Sequence, residues 1–320
     1  MSQDVVNCPA CERRTPAARA ACLYCGAALP VSRIETAPRQ RNIDSFEQAF
    51  NTVLEPPDIQ NNIQGGARQG RNEAALAAAL NIEASEARDI IASGKPIPIA
   101  RSLTRQEADL ISALARSCGV GAVVISDQEL RLQEELARAR RVVAEGEELH
   151  VTHSGGTISL PTSEVKLMVM GGLKNRRVDY SESGSGLRAQ SGGVVDSSEF
   201  FSNETLIDLY STTMERSFRI RSDSFDYSGL IERPSFLAEE NFRLLVARLR
   251  GLAPGARFDD DFARVRHLLG RVWPERSRTE ARGLRREGLS LRPHARSSVI
   301  SDNRDQFDRY SRLMFLFGVK

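Results

Sequence analysis

The sequence predicts an α+β multidomain protein: an N-terminal cysteine module, a small βααβαβ domain, an antiparallel β-barrel or sandwich closed by a helix, and a C-terminal helix with an arginine-rich extension. Three observations predict this class. Cysteines occur in two close pairs within residues 1–30. Short apolar runs and helical periods alternate between residues 46 and 127. Between residues 147 and 256, alternating runs follow one another and end in one helical period.

Composition and charge set the limits of the interpretation. A chain of 320 residues, 41% hydrophobic and 27% charged, is long enough for two or three domains. The 44 basic and 42 acidic residues give a formal net charge of +2, so the whole molecule has no strong electrostatic preference. Because no signal-peptide pattern follows Met1 and no stretch approaches the roughly 20 apolar residues of a membrane span, we expect a cytoplasmic protein without a transmembrane segment.

The four N-terminal cysteines carry the strongest chemical signal. They form two C-x-x-C pairs, which consist of Cys8, Cys11, Cys22 and Cys25. Four thiolates suit tetrahedral coordination of Zn²⁺ in a closed structural site, and residues 1–30 resemble the zinc-ribbon family. The competing interpretation, a redox dithiol, requires one C-x-x-C motif on a larger fold. We therefore expect one structural zinc per chain, with no open coordination position for catalysis.

The chain then passes through a predicted linker into a small domain. Residues 31–45 are rich in Pro, Arg, Ser and Thr without periodicity, which predicts the linker. Residues 46–127 predict the order strand, helix, helix, strand, helix, strand. The predicted elements are Ala49 to Leu54, Glu73 to Leu80, Ala84 to Ala92, Ile97 to Ala100, a helix from Thr104 to Cys118, and Ala122 to Ser126. Thr104 and Glu107 have the spacing of a capping box.

This order resembles the C-terminal domain of the bacterial ribosomal stalk protein, a fold shared with the Clp-protease adaptor. The likeness lies in Ser85 to Ile91, Gly94 to Pro96, Thr104 to Asp109 and the exit at Cys118-Gly119. In the stalk family a basic first helix contacts translation factors. The matching helix here, Glu73 to Leu80, carries no lysine or arginine. The resemblance therefore leaves two roles open for this domain, protein docking and a purely architectural one.

A charged helix is predicted to link the two larger domains over residues 128–146. Its apolar stripe is formed by Leu132, Leu136, Ala139 and Val143. Opposite charges four residues apart, such as Glu134 and Arg138, support a helix.

The predicted β module covers residues 147–256. Its strands are Leu149 to Thr152, Thr157 to Leu160, Glu164 to Met170, Val178 to Ser181, Leu206 to Tyr210 and Phe218 to Arg221. Gly155-Gly156 predicts a hairpin between the first two strands. The Ser- and Gly-rich stretch from Glu182 to Ser198 predicts a mobile loop. The closing helix has its apolar face at Leu237, Phe242, Leu245, Val246 and Leu249.

A basic turn after Gly171-Gly172 is the candidate binding feature of this module. Lys174, Arg176 and Arg177 are placed to contact an anionic group or a partner, although exposed basic turns are usually only solvated. The order of the elements, including the exit through Phe225 to Gly229, resembles the pleckstrin-homology-like family over about a hundred residues. Members of that family bind peptides, proteins or inositol phospholipids in general.

Residues 257–320 predict a helix from Asp259 to Trp273, an arginine-rich segment and an apolar tail. Ten arginines and no lysine lie between Arg264 and Arg296. The candidates for contact with an anionic partner there are Arg282, Arg285 and Arg286. Few aromatic residues accompany them, and single-strand nucleic-acid binders usually interleave stacking rings with charge. The tail from Phe307 to Phe317 is expected to pack back on a domain or to serve as a docking segment.

These features predict a binding protein. The sequence shows no phosphate-binding loop and no nucleophile elbow, and we predict no catalytic or cofactor residue. The leading hypothesis is a cytoplasmic, non-enzymatic scaffold that assembles protein partners. The alternative is a ribosome- or nucleic-acid-associated factor that uses the zinc ribbon and the arginine-rich segment. A hydrolase with dispersed catalytic residues is the third hypothesis.

Overall fold

The computed structural model is a mixed α+β protein, in which the described residues form six α-helices and four β-sheets. The structure describes residues 5–8, 10–11, 13–16, 24–25, 27, 43, 47–56, 66–183, 194–285 and 294–318. The predicted α+β class is confirmed. Apart from residue 43, the linker predicted over 31–45 lies outside the described residues.

An N-terminal hairpin carries the first cysteine pair. Strand β1 (Val5–Asn7) is antiparallel to β2 (Arg14–Pro16). The connection between them contains Cys8 and Cys11, and the backbone N–H of Cys8 donates to the carbonyl of Arg13 at 3.0 Å. This hydrogen bond closes a tight turn around the two thiols.

The next unit is a three-stranded antiparallel sheet, in the order β4-β3-β5, packed with three helices. Its elements are β3 (Phe50–Leu54), α1 (Gly66–Leu80), α2 (Ala84–Ala92), β4 (Ile97–Ser102), α3 (Arg105–Ser117) and β5 (Ala122–Ser126). The predicted order is confirmed, although α1 begins earlier than the predicted Glu73. Thr104 is the N-cap of α3, because its hydroxyl accepts the Glu107 N–H at 3.2 Å.

The linking helix predicted over 128–146 is wrong. After several turns, the chain forms β6 (Ala137–Arg138) and β7 (Arg141–Glu145). Arg131 has φ of 50°, which is incompatible with a continuous α-helix, and Gly146, with φ of 60°, turns the chain after β7. The β-branched Val142 and Val143 suit a strand. Strand pairing therefore prevails over charge pairs at helical spacing, which contribute only about 0.2–0.5 kcal/mol each.

A series of strands and one helix follows. They are β8 (Glu148–His153), β9 (Gly156–Pro161), β10 (Leu167–Ser183), β11 (Val194–Tyr210), β12 (Phe218–Arg221) and α4 (Ala238–Leu252). The hairpin predicted at Gly155-Gly156 is confirmed. The ends of the predicted loop over 182–198 are strand, at Glu182–Ser183 in β10 and from Val194 in β11, and residues 184–193 lie outside the described residues.

The C-terminal part contains more structure than the sequence predicted. It forms β13 (Arg257–Asp259), α5 (Phe262–Leu269), β14 (Arg276–Arg285), β15 (His294–Asp302) and α6 (Arg304–Gly318). The helix predicted from Asp259 to Trp273 is therefore shorter, because Asp259 pairs as the end of a strand. The described parts of the arginine-rich segment after Trp273 include two strands, residues 286–293 lie outside the described residues, and the apolar tail is a helix.

The strands of the β module form two sheets. Strands β7, β8 and β9 form one three-stranded antiparallel sheet. The other has the order β14-β15-β10-β11-β12-β6, with β13 parallel to the start of β10. The short segment that contains β6 and β7 joins both sheets, since β6 pairs with β12 and β7 with β8. The sheets are curled and include a half-barrel, and residues of α4 share a core with residues of both sheets.

Two apolar cores lie on opposite faces of β10 and β11. Leu167 and Val169 belong to the first core and Met168 to the second, because successive side chains of a strand point to opposite faces. The first core contains the helices of the α/β unit together with α5 and α6. The second contains α4, whose predicted apolar face is buried except for Leu237, which is 67% exposed.

Helix α6 is a central element of the first core. Its apolar residues Phe307, Tyr310, Leu313 and Met314 are all buried. Packing of the apolar tail back on the body is therefore confirmed. The tail contacts the α/β unit and the part of the β10–β11 hairpin formed by residues 167–173 and 205–210. It therefore joins parts of the chain that are distant in sequence.

Candidate metal centre and interaction surface

Three cysteines come together near the N-terminus. The sulfur atoms of Cys8, Cys11 and Cys25 all lie within 4.8 Å of one another. The Sγ atoms of Cys8 and Cys25 are 3.6 Å apart. A tetrahedral zinc with bonds of about 2.3 Å requires sulfur–sulfur separations of about 3.8 Å, so this spacing fits a metal site. The fourth predicted ligand, Cys22, lies outside the described residues.

The three described cysteines of this group differ in burial. Cys8 is buried, Cys11 is half-buried and Cys25 is exposed. The guanidinium of Arg13 lies over the ring of Tyr24, 5.1 Å from its centre, and this contact links the residue before Cys25 to the hairpin that carries Cys8 and Cys11. Three described thiols could hold a metal ion here.

The basic turn predicted at Lys174, Arg176 and Arg177 is wrong, because all three residues lie within the continuous strand β10. The two glycines that suggested a turn have another role. At Gly171, any Cβ would overlap the ring of Phe307 in α6, so the absence of a side chain allows the helix to approach. Arg176 pairs with Glu199 of β11, and Arg177 pairs with Asp179 at 2.7 Å.

The arginine-rich segment lies in the same sheet as these residues. Strand β15 pairs with β10, where Arg176 is opposite Ser301 and Arg177 is opposite Ile300. Strand β14 pairs with β15, where Arg282 is opposite Arg296 and Arg285 is opposite His294. Arg286 lies outside the described residues. The structure thus brings into one sheet two basic stretches that are about a hundred residues apart.

We call the outer part of this sheet the arm. It consists of residues 174–183 of β10, residues 194–204 of β11, and strands β14 and β15. Two neighbouring aromatic side chains of β11 are exposed on it, Phe200 by 56% and Phe201 by 70%. Tyr180 of β10 is 37% exposed. Sequence reasoning missed Phe200 and Phe201 because they lie between the predicted loop, which ends at Ser198, and the predicted strand that begins at Leu206. Their adjacency just before that alternating run was the available signal.

Outside the arm, the charged groups at the unit boundaries take part in buried contacts. Asp127 is buried, and its carboxylate accepts from Arg309 and from Arg101, each at 2.6 Å, and from the Asn51 amide at 2.8 Å. The Trp273 indole donates to the Asn51 oxygen at 2.9 Å. Burial alone would raise the pKa of Asp127, but Arg309 and the hydrogen bonds lower it. These contacts join β3, β4 and β5 to α6.

A second cluster joins the α/β unit to α5. Lys95 pairs with buried Asp259 and, at 2.7 Å, with Asp261. The hydroxyl of Tyr310 donates to Asp259 at 2.7 Å. Arg264 donates to Asp261 at 2.7 Å, and hydrogen bonds from Arg264 and Lys95 lower the pKa of Asp261 to about 2. Asp261 is the N-cap residue of α5, but its side chain makes no cap hydrogen bond to that helix.

A third cluster ties α6 to the seven-stranded sheet. Asp208 is fully buried and accepts two hydrogen bonds from Arg219, at 2.6 and 2.8 Å. The hydroxyl of Ser311 donates to Asp208 at 2.6 Å, and Tyr210 lies 2.8 Å from Ser311. Burial raises the pKa of the neighbouring Asp308, although Arg219 opposes that shift. The three clusters orient α5 and α6 against the rest of the protein.

The two histidines of β8 do not share a site. His150 and His153 are an odd number of residues apart on one strand, and His150 lies 3.5 Å from Glu145. The His153 Nδ1 accepts the Gly155 N–H at 3.1 Å, a contact within its own hairpin. Each histidine therefore has a contact within the sheet of β7, β8 and β9.

Comparison with known proteins gives no match. No protein-family model, no curated protein and no solved structure matches the chain. Within the described part of the chain, every helix is too short or too polar to cross a membrane.

Proposed function

We propose that the chain is a cytoplasmic, non-enzymatic binding protein that assembles protein partners and carries one structural zinc ion. The observation that carries this proposal is the arm. It exposes Phe200 and Phe201 on the outer part of the seven-stranded sheet, while the charged residues at the unit boundaries are paired with one another. Exposed aromatic residues of this kind are enriched where proteins meet partners.

The architecture supports three binding-type modules. The cysteine hairpin supports a zinc ribbon, with Cys22 as the fourth ligand. The βααβαβ order of residues 50–126 supports a stalk-protein-like module. The two sheets around α4 support a pleckstrin-homology-like module over 147–256. Fold alone does not determine function, so the proposal depends on the exposed surface of the arm.

Recovery of the tagged full-length chain from its own cell, with the co-purifying proteins identified, tests the binding role. We expect the double variant Phe200→Ser/Phe201→Ser to lose partners that survive nuclease and salt. The control is Leu110→Ser, which changes an apolar residue that is 69% exposed on α3. The same protein set with both variants would contradict a partner surface on the arm.

A colorimetric zinc-release assay tests the metal site. We expect one zinc per chain, and we expect Cys8→Ser to lose it because three thiolates hold zinc less tightly than four. Cys118→Ser is the matched control, since Cys118 ends α3 far along the chain from the cysteine hairpin. A zinc-free protein whose cysteine hairpin is ordered would contradict the site.

A ribosome- or nucleic-acid-associated factor is the second candidate. The observation that favours it is the meeting of Arg176 and Arg177 with the arginine-rich strands in one sheet. It predicts an RNA or DNA affinity that falls linearly with salt on a logarithmic scale. Binding that is absent, or that does not respond to salt, would remove this candidate.

A further inference from the structure

The arm has two open edges. Strand β12 pairs with β11 only from Leu206 to Leu209, so residues 194–204 have no strand on their outer side among the described elements. At the opposite edge, β14 pairs only with β15 in the part of the chain that the structure describes. An open edge presents backbone N–H and C=O groups that can pair with another strand.

The two open edges carry opposite charge. Residues 194–204 contain three acidic residues and no basic one, and they are Asp196, Glu199 and Glu204. Glu199 also pairs with Arg176, and Glu204 pairs with Arg221 of β12 and with Arg304, so Asp196 and Glu199 carry the acidic character of the outer part. Strand β14 contains four arginines and one glutamate, and they are Arg276, Arg278, Glu280, Arg282 and Arg285. Two edges of the same charge would repel each other, whereas an acidic edge attracts a basic edge. The two stretches also have nearly the same length.

The strand directions are compatible with joining the two edges. Strand β10 is antiparallel to both β11 and β15, and β14 is antiparallel to β15. Strand β14 therefore runs antiparallel to β11. A second copy in the same orientation can place its β14 beside β11 and continue an antiparallel sheet without reversing any strand.

Exposed aromatic residues mark the acidic edge. Natural edges are usually protected by charge, proline, a bulge or a covering segment. Besides its acidic residues, the edge of β11 exposes Phe200 and Phe201. Successive residues of a strand point to opposite faces, so an added strand would lie beside one aromatic ring on each face.

We propose that the arm assembles copies of this chain head to tail, with the β11 edge of one copy taking β14 of the next copy as an additional strand. This inference rests on the proposed function and names the partner as a second copy. Because the two edges differ, the contact is heterologous, and repeated addition gives a ring or an open filament. Backbone hydrogen bonds supply affinity, and the charges select β14 over β11.

Sedimentation velocity of the nuclease-treated full-length protein at low salt tests the inference with two charge-reversed variants. The first variant is Glu199→Lys/Ser202→Lys on β11, and the second is Arg276→Glu/Arg278→Glu on β14. We expect the wild type to increase in mass with concentration and each variant alone to remain monomeric. An equimolar mixture should recover the wild-type mass, because every edge then has a neighbour of opposite charge. The control, Arg105→Glu on α3, should assemble as the wild type does.

Recovery in the mixture also shows that both variants are folded. A monomeric wild type at every concentration, or a mixture that stays monomeric, would overturn the inference. So would assembly of either variant alone. If the wild type is monomeric while Phe200→Ser/Phe201→Ser still loses co-purifying proteins, the head-to-tail inference fails and the proposed function stands.

Photo-crosslinking identifies the contact independently. Benzoylphenylalanine at position 201, in a mixture of unlabelled and ¹⁵N-labelled chains, should form crosslinks between copies to peptides of residues 276–285. Crosslinks only within one copy, or between copies at another surface, would contradict the pairing of β11 with β14.

Discussion

The two halves of the β10–β11 hairpin differ in what covers them. At its base, residues 167–173 and 205–210 lie between two cores, and their side chains alternate between those cores. In the arm, the same two strands continue with the same antiparallel register, but Arg176, Phe200 and Phe201 are exposed. The backbone pairing is equal in both halves. The difference therefore lies in side-chain packing, which makes the base the stable part and leaves the arm available for contacts.

Replacement of a phenylalanine by alanine in each half should give the largest difference in the free energy of unfolding. Phe307→Ala removes a fully buried ring at the base and should lower the free energy of unfolding by about 3–5 kcal/mol. Phe201→Ala removes a ring that is 70% exposed in the arm and should change the free energy of unfolding by less than about 0.5 kcal/mol. Chemical denaturation at low protein concentration measures both. Equal losses would mean that the arm is as tightly packed as the base.

Removal of a carboxylate from each half gives a similar contrast. Asp208→Ala leaves Arg219 without its buried bidentate partner, which should cost about 3–5 kcal/mol. Glu199→Ala breaks an exposed pair with Arg176 in the arm and should cost at most about 1 kcal/mol. The midpoints of urea denaturation for the two variants test this order. A reversed order would contradict the assignment of the buried network to the base.

The two neighbouring glycines of β10 provide a finer test. Gly171→Ala would place its Cβ against the Phe307 ring and should destabilise the protein by about 1–3 kcal/mol. Gly172→Ala meets nothing within 4 Å and should be neutral, or stabilising by up to about 1 kcal/mol, because alanine favours an ordered strand over glycine. Thermal unfolding of the two variants measures the difference. Equal behaviour would mean that α6 does not approach β10 at Gly171.

The loss of folding stability at acidic pH should be the smallest of the four effects. The pKa of Asp261 is lowered to about 2 in the folded protein, and the pKa of Asp127 is also lowered. A lowered folded-state pKa stabilises the protein above the unfolded-state pKa near 4, and that contribution disappears as the pH falls toward 2. Asp308, whose pKa is raised, acts in the opposite direction. Stability measured from pH 5 to 2 should therefore fall, and the fall should be shallower in Asp261→Asn.

Local pattern predicted the elements that are formed by local interactions. Helix α2 lies at the predicted residues, and the Thr104 cap and the Gly155-Gly156 hairpin are where propensity places them. The cysteine spacing likewise identified three residues that the structure brings together. These features are formed by residues that lie close to one another in the sequence.

The errors occur where distant residues determine the conformation. Gly171-Gly172 has the composition of a turn, but Phe307, more than a hundred residues later, requires the glycine inside a strand. The charged stretch over 128–146 has helical spacing, yet its strands pair with β8 and β12. The described strands of the arginine-rich segment, β14 and β15, pair with each other, and β15 pairs with β10. None of these partners is visible in the local sequence.

Hydrogen–deuterium exchange of the full-length protein, followed by mass spectrometry at low and high protein concentration, tests the contrast between base and arm most directly. We expect the amides of residues 167–173 and 205–210 to exchange slowly at both concentrations. Residues 194–204 and 276–285 should exchange faster at low concentration and gain protection together at high concentration. Fast exchange at the base, or an arm whose protection is independent of concentration, would contradict the account.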